Sequence, residues 1–174
     1  MGVSPRTRSA LQRVVSGGQT GVDRAALDAA MALGIPCGGW CPRGRRAEDG
    51  RIPARYPLRE TATPDYPERT ARNVCESDAT LVLTRGRPRG GTALTIALAR
   101  RRSRPVLLVD LDGAPDQDEV RAWLAACAAR VLNVAGPRES EQPGIHRQAE
   151  LFLRTVLVAA AVSLAPSPTE KVPL

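Results

Sequence analysis

Residues 13–24 read Arg13-Val-Val-Ser-Gly-Gly-Gln-Thr-Gly-Val-Asp-Arg24, and Ala25-Ala-Leu-Asp-Ala-Ala-Met-Ala-Leu33 follows directly. A β-branched pair, two glycines and an Ala/Leu-rich run spell a strand (Arg13–Ser16), a turn, and a helix from about Asp23 to Leu33. Gly34 and Pro36 close that helix. Gly17, Gly18 and Gly21 permit positive φ and close approach of a ligand to the main chain. Thr20 and Asp23 are spaced as a capping box. Such a turn points unpaired N–H groups and the positive helix end at one spot, which favours an anion. A strand-to-helix turn with no ligand looks the same in sequence. The spacing is neither the GxGxxG dinucleotide fingerprint nor a P-loop, which needs GK[ST].

The same alternation continues along the chain. A short second strand at about Ile35–Trp40 leads into Cys41–Pro64, an Arg/Gly/Pro segment with little periodicity, whose length points to function or disorder. A helix over Tyr66–Ser77 starts with Pro67 and Glu68. Buried strands are expected at Ala79–Thr84 and Pro105–Leu111, and a fifth strand at Arg130–Val134. Helices are expected at Gly91–Arg101, Asp116–Ala129 and Pro143–Leu164, with Val120, Trp123, Leu124 and Cys127 on one apolar face. Continuous apolar strands alternating with helices predict an α/β fold, a Rossmann-like three-layer α/β/α sandwich around a mostly parallel sheet. One domain is expected over residues 13–165, with a flexible N-terminus at 1–12 and a disordered tail at 166–174.

Ligands of such sheets bind outside the carboxyl ends of the strands, where the strand order reverses. Four loops at strand ends are unlike ordinary connections: Gly17–Arg24, Gly38–Arg46, Thr84–Thr92 and Asn133–Ser140. Two of them open helices with glycines, which would set two positive helix ends side by side. Gly17, Gly18, Gln19, Thr20, Gly21, Asp23 and Arg24 form one candidate cradle, and Gly90, Gly91 and Thr92 a second. Arg43, Arg45, Arg46 and Arg138 are candidates to neutralise a phosphate or oxyanion, and Trp40 to stack on a flat ring. The acids in reach of such a site are Asp23, Glu48, Asp49, Glu60, Glu76, Asp78 and Glu139, several of which have capping or charge-balancing explanations. A Ser/His/Asp triad cannot be assembled around a single histidine, His146, in a late loop.

The 174 residues carry a formal charge of +7, and every basic side chain except Lys171 is arginine. Arginine suits forked contacts with phosphate or carboxylate. With five aromatic residues, a single-strand nucleic-acid stacking platform is poorly supplied. Cys37, Cys41, Cys75 and Cys127 lack zinc-site spacing and read as free thiols of a reducing cytoplasm. The longest apolar run, Val156–Val162, is too short to span a bilayer, so a soluble, cytoplasmic protein is expected.

The segments SGGQTGVDRAALDAA (16–30), GGWCPRGRRAEDG (38–50), YPLRET (56–61), RTARNVCESDATLVL (69–83), GGTALT (90–95) and LNVAGPRESEQPGI (132–145) together resemble the molybdenum-cofactor carrier protein family. That family is a branch of the SLOG superfamily of Rossmann-like nucleotide-ligand proteins, which includes the Lonely Guy phosphoribohydrolases. The resemblance implies a sheet of order 2-1-3-4-5 and a homo-oligomer, dimer or tetramer. It also implies a carrier that holds the phosphorylated pterin of molybdenum cofactor, with molybdoenzymes or cofactor-synthesis proteins as partners. The pterin would chelate the molybdenum, so no protein metal ligand is required. Lonely Guy enzymes carry Gly-Gly-x-Gly-Thr-x-x-Glu, whose glutamate serves glycosidic hydrolysis; here Gly90-Gly91-Thr92-Ala93-Leu94-Thr95 puts Thr95 in its place. That departure favours binding over catalysis. The alternatives are a nucleoside 5′-monophosphate phosphoribohydrolase with Glu76 or Glu48 as its acid, and a nucleic-acid-binding module.

Overall fold

The computed structural model describes residues 11–164; the expected tail at 166–174 and most of the expected N-terminal arm lie outside the described residues. Of that arm, Leu11 is buried in the core and the Gln12 amide donates to the Arg130 carbonyl at 2.8 Å.

The architecture is a five-stranded, all-parallel sheet built from β1 (Arg13–Val15), β2 (Cys37–Gly38), β7 (Ala79–Thr84), β8 (Val106–Asp110) and β9 (Val131–Ala135). α1 (Val22–Ala32), α4 (Gln117–Cys127) and α5 (Ile145–Leu164) pack together, as do α2 (Tyr66–Cys75) and α3 (Gly90–Arg101). All six residues of β7 are buried, as its β-branched sequence requires of a strand covered on both faces. β8 departs from expectation: it lies at the sheet edge, only Val109 is fully buried, and Leu108 is 45 % exposed. Val120 is buried in the main core, with Trp123, Leu124 and Cys127 packed against it.

The spatial order is β2-β1-β9-β7-β8. Among the five strands numbered along the chain this is 2-1-5-3-4, which corrects the expected 2-1-3-4-5. Counted instead from β7, and passing from the end of α5 back to β1, the order becomes 2-1-3-4-5. The sheet is therefore the doubly wound one with its chain opened at a different place. Parallel strand–helix units lie in a ring of neighbours, so moving the termini leaves every interface intact. The order reverses between β7 and β9, and that is where a ligand crevice is expected.

The segment expected to be irregular is ordered around a small core of its own. β3 (Trp40–Cys41) pairs in parallel with β6 (Arg59–Glu60), and β4 (Arg46–Ala47) forms a hairpin with β5 (Gly50–Arg51). Cys41, Ala47, Ile52, Tyr56 and Leu58 bury themselves against Leu27 of α1. The Tyr56 hydroxyl donates to Asp28 at 3.0 Å, and His146 of α5 stands 2.9 Å from the same carboxylate. The lone histidine thus ties α5 to α1. All four cysteines are free; Cys41 is buried, and burial pushes the Cys37, Cys41 and Cys127 thiols up. Among the described residues, no helix is long and apolar enough to cross a membrane.

Candidate functional site

The first turn is tighter than a capping box allows. α1 begins at Val22 with Gly21 as its N-cap and no side-chain cap, which leaves Thr20 outside the helix. Gly21 sits at φ 75°, and a Cβ there would lie 2.3 Å from the Pro137 carbonyl. Only glycine lets this turn press on the loop after β9. The Val22 amide then donates to that carbonyl at 3.2 Å. The Thr20 hydroxyl is spent on the same seam, donating to Glu48 and accepting from the Glu139 amide at 3.1 Å.

Beside this seam, at the carboxyl ends of the strands, lies a cavity of about 240 Å³. Gln19 after β1, Ala135 and Gly136 at the end of β9, and Gly90, Gly91, Thr92 and Thr95 of α3 line it. Tyr66, Arg69 and Thr70 of α2, together with Asp23, Arg138 and Glu141, supply most of the remaining wall. Asp23 is 3 % exposed and pairs with Arg69 at 3.2 Å. Burial pushes its carboxyl above the usual range while the Arg69 charge opposes the rise. The Arg69 guanidinium lies where a Gly17 side chain would be, 1.9 Å from a Cβ built at that position. Gly17 is thus the gap that admits the arginine.

Gln19 is 6 % exposed. Its Oε1 accepts from the Thr20 amide at 3.0 Å and the Glu48 amide at 2.9 Å, which fixes the side-chain amide and leaves Nε2 able only to donate. Among the described residues Nε2 has no partner, and neither does the buried Nε of Arg69. Nothing stands within 4 Å of a Cβ built on Gly90 or Gly91. α3 has no side-chain cap, so its first N–H groups are free beside the cavity. The wall is therefore rich in unused donors, the complement of an oxyanion or a carbonyl-bearing ring.

Residues 14–157 match the family described as the circularly permutated YpsA SLOG family. The chain belongs to it. The permuted strand order is the structural form of that description. The SLOG chain is also similar to the crystal structure of a putative molybdenum carrier protein from Syntrophus aciditrophicus SB, with 43 % identity and a TM-score of 0.81. The match covers 85 % of this chain and 96 % of that one. No curated protein matches the chain.

Of the residues singled out in the sequence, the SLOG fold brings Gln19, Asp23, Gly90, Gly91, Thr92 and Arg138 to one cavity. Others serve the scaffold. Gly18, at φ 77°, backs onto Leu58 and Ile52. Arg24 donates to the Gly18 carbonyl at 3.0 Å and holds Asp49 at 2.5 and 2.7 Å. Arg45 spends its guanidinium on four carbonyls, those of Ile52, Pro53, Tyr56 and Leu58, at 2.8–3.2 Å. Arg43 and Arg46 are exposed and outside the cavity wall. Trp40 is also elsewhere, with the Arg59 and Arg72 guanidiniums 4.2 and 4.6 Å from its ring centroid. The aromatic ring at the cavity is Tyr66, with Arg69 and Arg138 within 6 Å of its centroid at 5.9 and 5.8 Å.

Glu76 pairs with Arg59 at 3.0 Å, and Glu48 holds Thr20 and Ser140; neither lines the cavity. Burial raises the Glu48 carboxyl, but hydrogen bonds from Ser140 and Thr20 and the Arg138 charge outweigh it and hold the group low. Thr95 lines the cavity with its hydroxyl donated to the Gly91 carbonyl at 2.9 Å. Sequence reasoning missed Arg69, Tyr66 and Thr70. The signal was available: the inward face of α2 carries Thr70 and Asn73 beside Val74, and polar groups on a buried face ask for partners.

Proposed function

We propose that the protein is a non-catalytic binding protein that carries a phosphorylated, nucleotide-like molecule, with molybdenum cofactor as the cargo suggested by the name of its relative. The observation that carries this reading is the donor-rich cavity at the strand-order reversal, where Gln19 Nε2 is buried without a partner beside the open N-terminus of α3. The first N–H groups of α3 and the Thr92 hydroxyl would take the phosphate. The Tyr66 ring would lie along the flat heterocycle, Gln19 would donate to an acceptor on its edge, and Arg138 would supply charge. The two carboxylates on the wall, Asp23 and Glu141, are each held by an arginine, Arg69 at 3.2 Å and Arg138 at 3.5 Å. The acids weighed for hydrolysis, Glu48 and Glu76, stand outside the cavity, and Thr95 offers a hydroxyl in place of a carboxylate, which supports binding without turnover.

Native mass spectrometry of the purified, undenatured protein, with elemental analysis for molybdenum, tests the proposal. The expected result is a co-purifying phosphorylated pterin or nucleotide, with molybdenum in proportion to the pterin. Release of free base and ribose phosphate from AMP would instead make the protein a hydrolase. Protein that co-purifies with no such molecule and binds neither AMP nor pterin phosphate would sink the reading.

A further inference from the structure

A second concavity adjoins the first. It has a volume of about 500 Å³ and is lined by Arg85, Arg87 and Arg89 of the loop between β7 and α3, with Thr92 and Glu141 among its other walls. Thr92 and Glu141 also line the first cavity, so the two volumes meet at the N-terminus of α3. Arg85 is anchored: it donates to the Gln142 and Pro143 carbonyls at 3.1 and 2.7 Å, and its Nε is buried without a partner. Arg87 and Arg89 are exposed, and no carboxylate lies within 4.0 Å of either among the described residues. Glu141, the one acid of the groove wall, is turned to Arg138 at 3.5 Å.

Size and charge both direct a ligand this way. The inner cavity, at about 240 Å³, is smaller than the roughly 300–1,000 Å³ typical of cofactor sites. Part of a nucleotide-sized molecule must therefore lie outside it. The other concavity beside Tyr66 is edged by two acids, Asp65 and Glu68, against one arginine, Arg46, and so offers an anion less than the three arginines of the groove. The arginine groove attracts one, and guanidinium forks match phosphate oxygens.

Building on the proposed function, we infer that the Arg87–Arg89 groove is a second phosphate subsite, so that the protein takes a pyrophosphate-linked ligand in preference to a monophosphate. The phosphate nearer the ring lies at the Gly90–Thr92 cradle. The next phosphate along the P–O–P linkage reaches Arg87 and Arg89.

Calorimetric titration with AMP and ADP, in 0.1 M salt (about one Debye length of 10 Å), tests this. Wild-type protein is compared with Arg87→Ala/Arg89→Ala and with Arg100→Ala/Arg102→Ala, which removes the same charge at the far end of α3. ADP is expected to bind wild type at least about tenfold more tightly than AMP, as one charge-assisted contact requires. That gap is expected to close in the first variant with AMP affinity unchanged, and to persist in the second. Equal affinities in wild type, a gap that survives in the first variant, or one that closes equally in both would overturn the subsite and leave the carrier reading standing. Folded wild-type protein that binds neither nucleotide would remove the subsite, and the carrier reading would then rest on binding of pterin phosphate alone.

Discussion

Gly91→Ala separates a ligand-binding role of the α3 turn from a folding role. Gly91 is the second residue of α3, its φ lies outside the left-handed region, and a Cβ built on it meets no atom within 4 Å. Alanine therefore fits without strain and removes conformational freedom from the unfolded chain, which stabilises by about 0.4–1 kcal/mol. For a chain of this size the melting temperature should rise by about 1–4 °C. The new methyl, however, stands in the cavity beside the free N–H groups. It would push a phosphate oxygen off the cradle and cost one charge-assisted hydrogen bond, about 1.5–3 kcal/mol. Binding should weaken roughly ten- to a hundredfold. Gly90→Ala is the internal contrast: at φ 48° alanine costs about 1–2 kcal/mol of left-handed strain, so this variant should melt lower. Circular-dichroism melts and AMP titrations of both variants read the two effects separately. A destabilised Gly91→Ala, or one that binds AMP as tightly as wild type, would refute the reasoning.

Three further outcomes follow from the geometry. Gly21→Ala places a methyl 2.3 Å from the Pro137 carbonyl at φ 75° and should cost about 2–5 kcal/mol by urea denaturation; a loss below 1 kcal/mol (less than one such strained residue) would contradict the close approach. Arg45→Ala should loosen residues 42–60, shown by faster proteolysis there, while AMP affinity holds, because its guanidinium serves four carbonyls and no cavity wall. Asp23 has its folded-state pKa raised above 3.8 by burial, so as pH rises through that value the unfolded chain loses its proton first. Its contribution to stability therefore falls with rising pH until the folded carboxyl also ionises. Asp23→Asn should flatten this part of the urea-midpoint profile between pH 4 and 8, and superimposable profiles would show that the carboxyl does not titrate differently on folding.

The strand–helix alternation was legible because each element carries a periodic, locally sufficient signal. Ala79–Thr84 is a strand in both readings, and the helix at Tyr66 starts where Pro67 permits. Strand order was not legible, since the side chains that set it act between elements far apart in sequence. Val131–Ala135 slots between β1 and β7 through pairings such as Val14 with Leu132 and Leu81 with Val134. The Cys41–Pro64 excursion was opaque for a related reason: its order rests on Ile52, Tyr56 and Leu58, spaced without helix or strand period, and on one arginine satisfying four carbonyls. At the site, the glycine corners were visible and their neighbours were not. Glycine announces a backbone need, whereas Arg69 looks like any surface charge until Asp23 is placed beside it.

Arginine abundance is a poor guide to this protein's anion site, and the reason is quantitative. The donors of a buried or half-buried guanidinium seek partners inside the fold, and the fold supplies most of them: Arg24 on Asp49 and a carbonyl, Arg45 on four carbonyls, Arg69 on Asp23 with its Nε left over. Each such arginine is already committed, and recruiting it for a ligand would cost the contacts it now makes, which for a buried charge pair is about 3–5 kcal/mol. The groups available to a newcomer are those the fold leaves unspent. These are the Gln19 Nε2, the Arg69 Nε, the N–H groups at the head of α3, and the unpaired guanidiniums of Arg87 and Arg89. All of them face two adjoining concavities at the point where the strand order reverses. Specificity therefore resides in a few donors that the chain has folded around without satisfying, and not in the +7 formal charge.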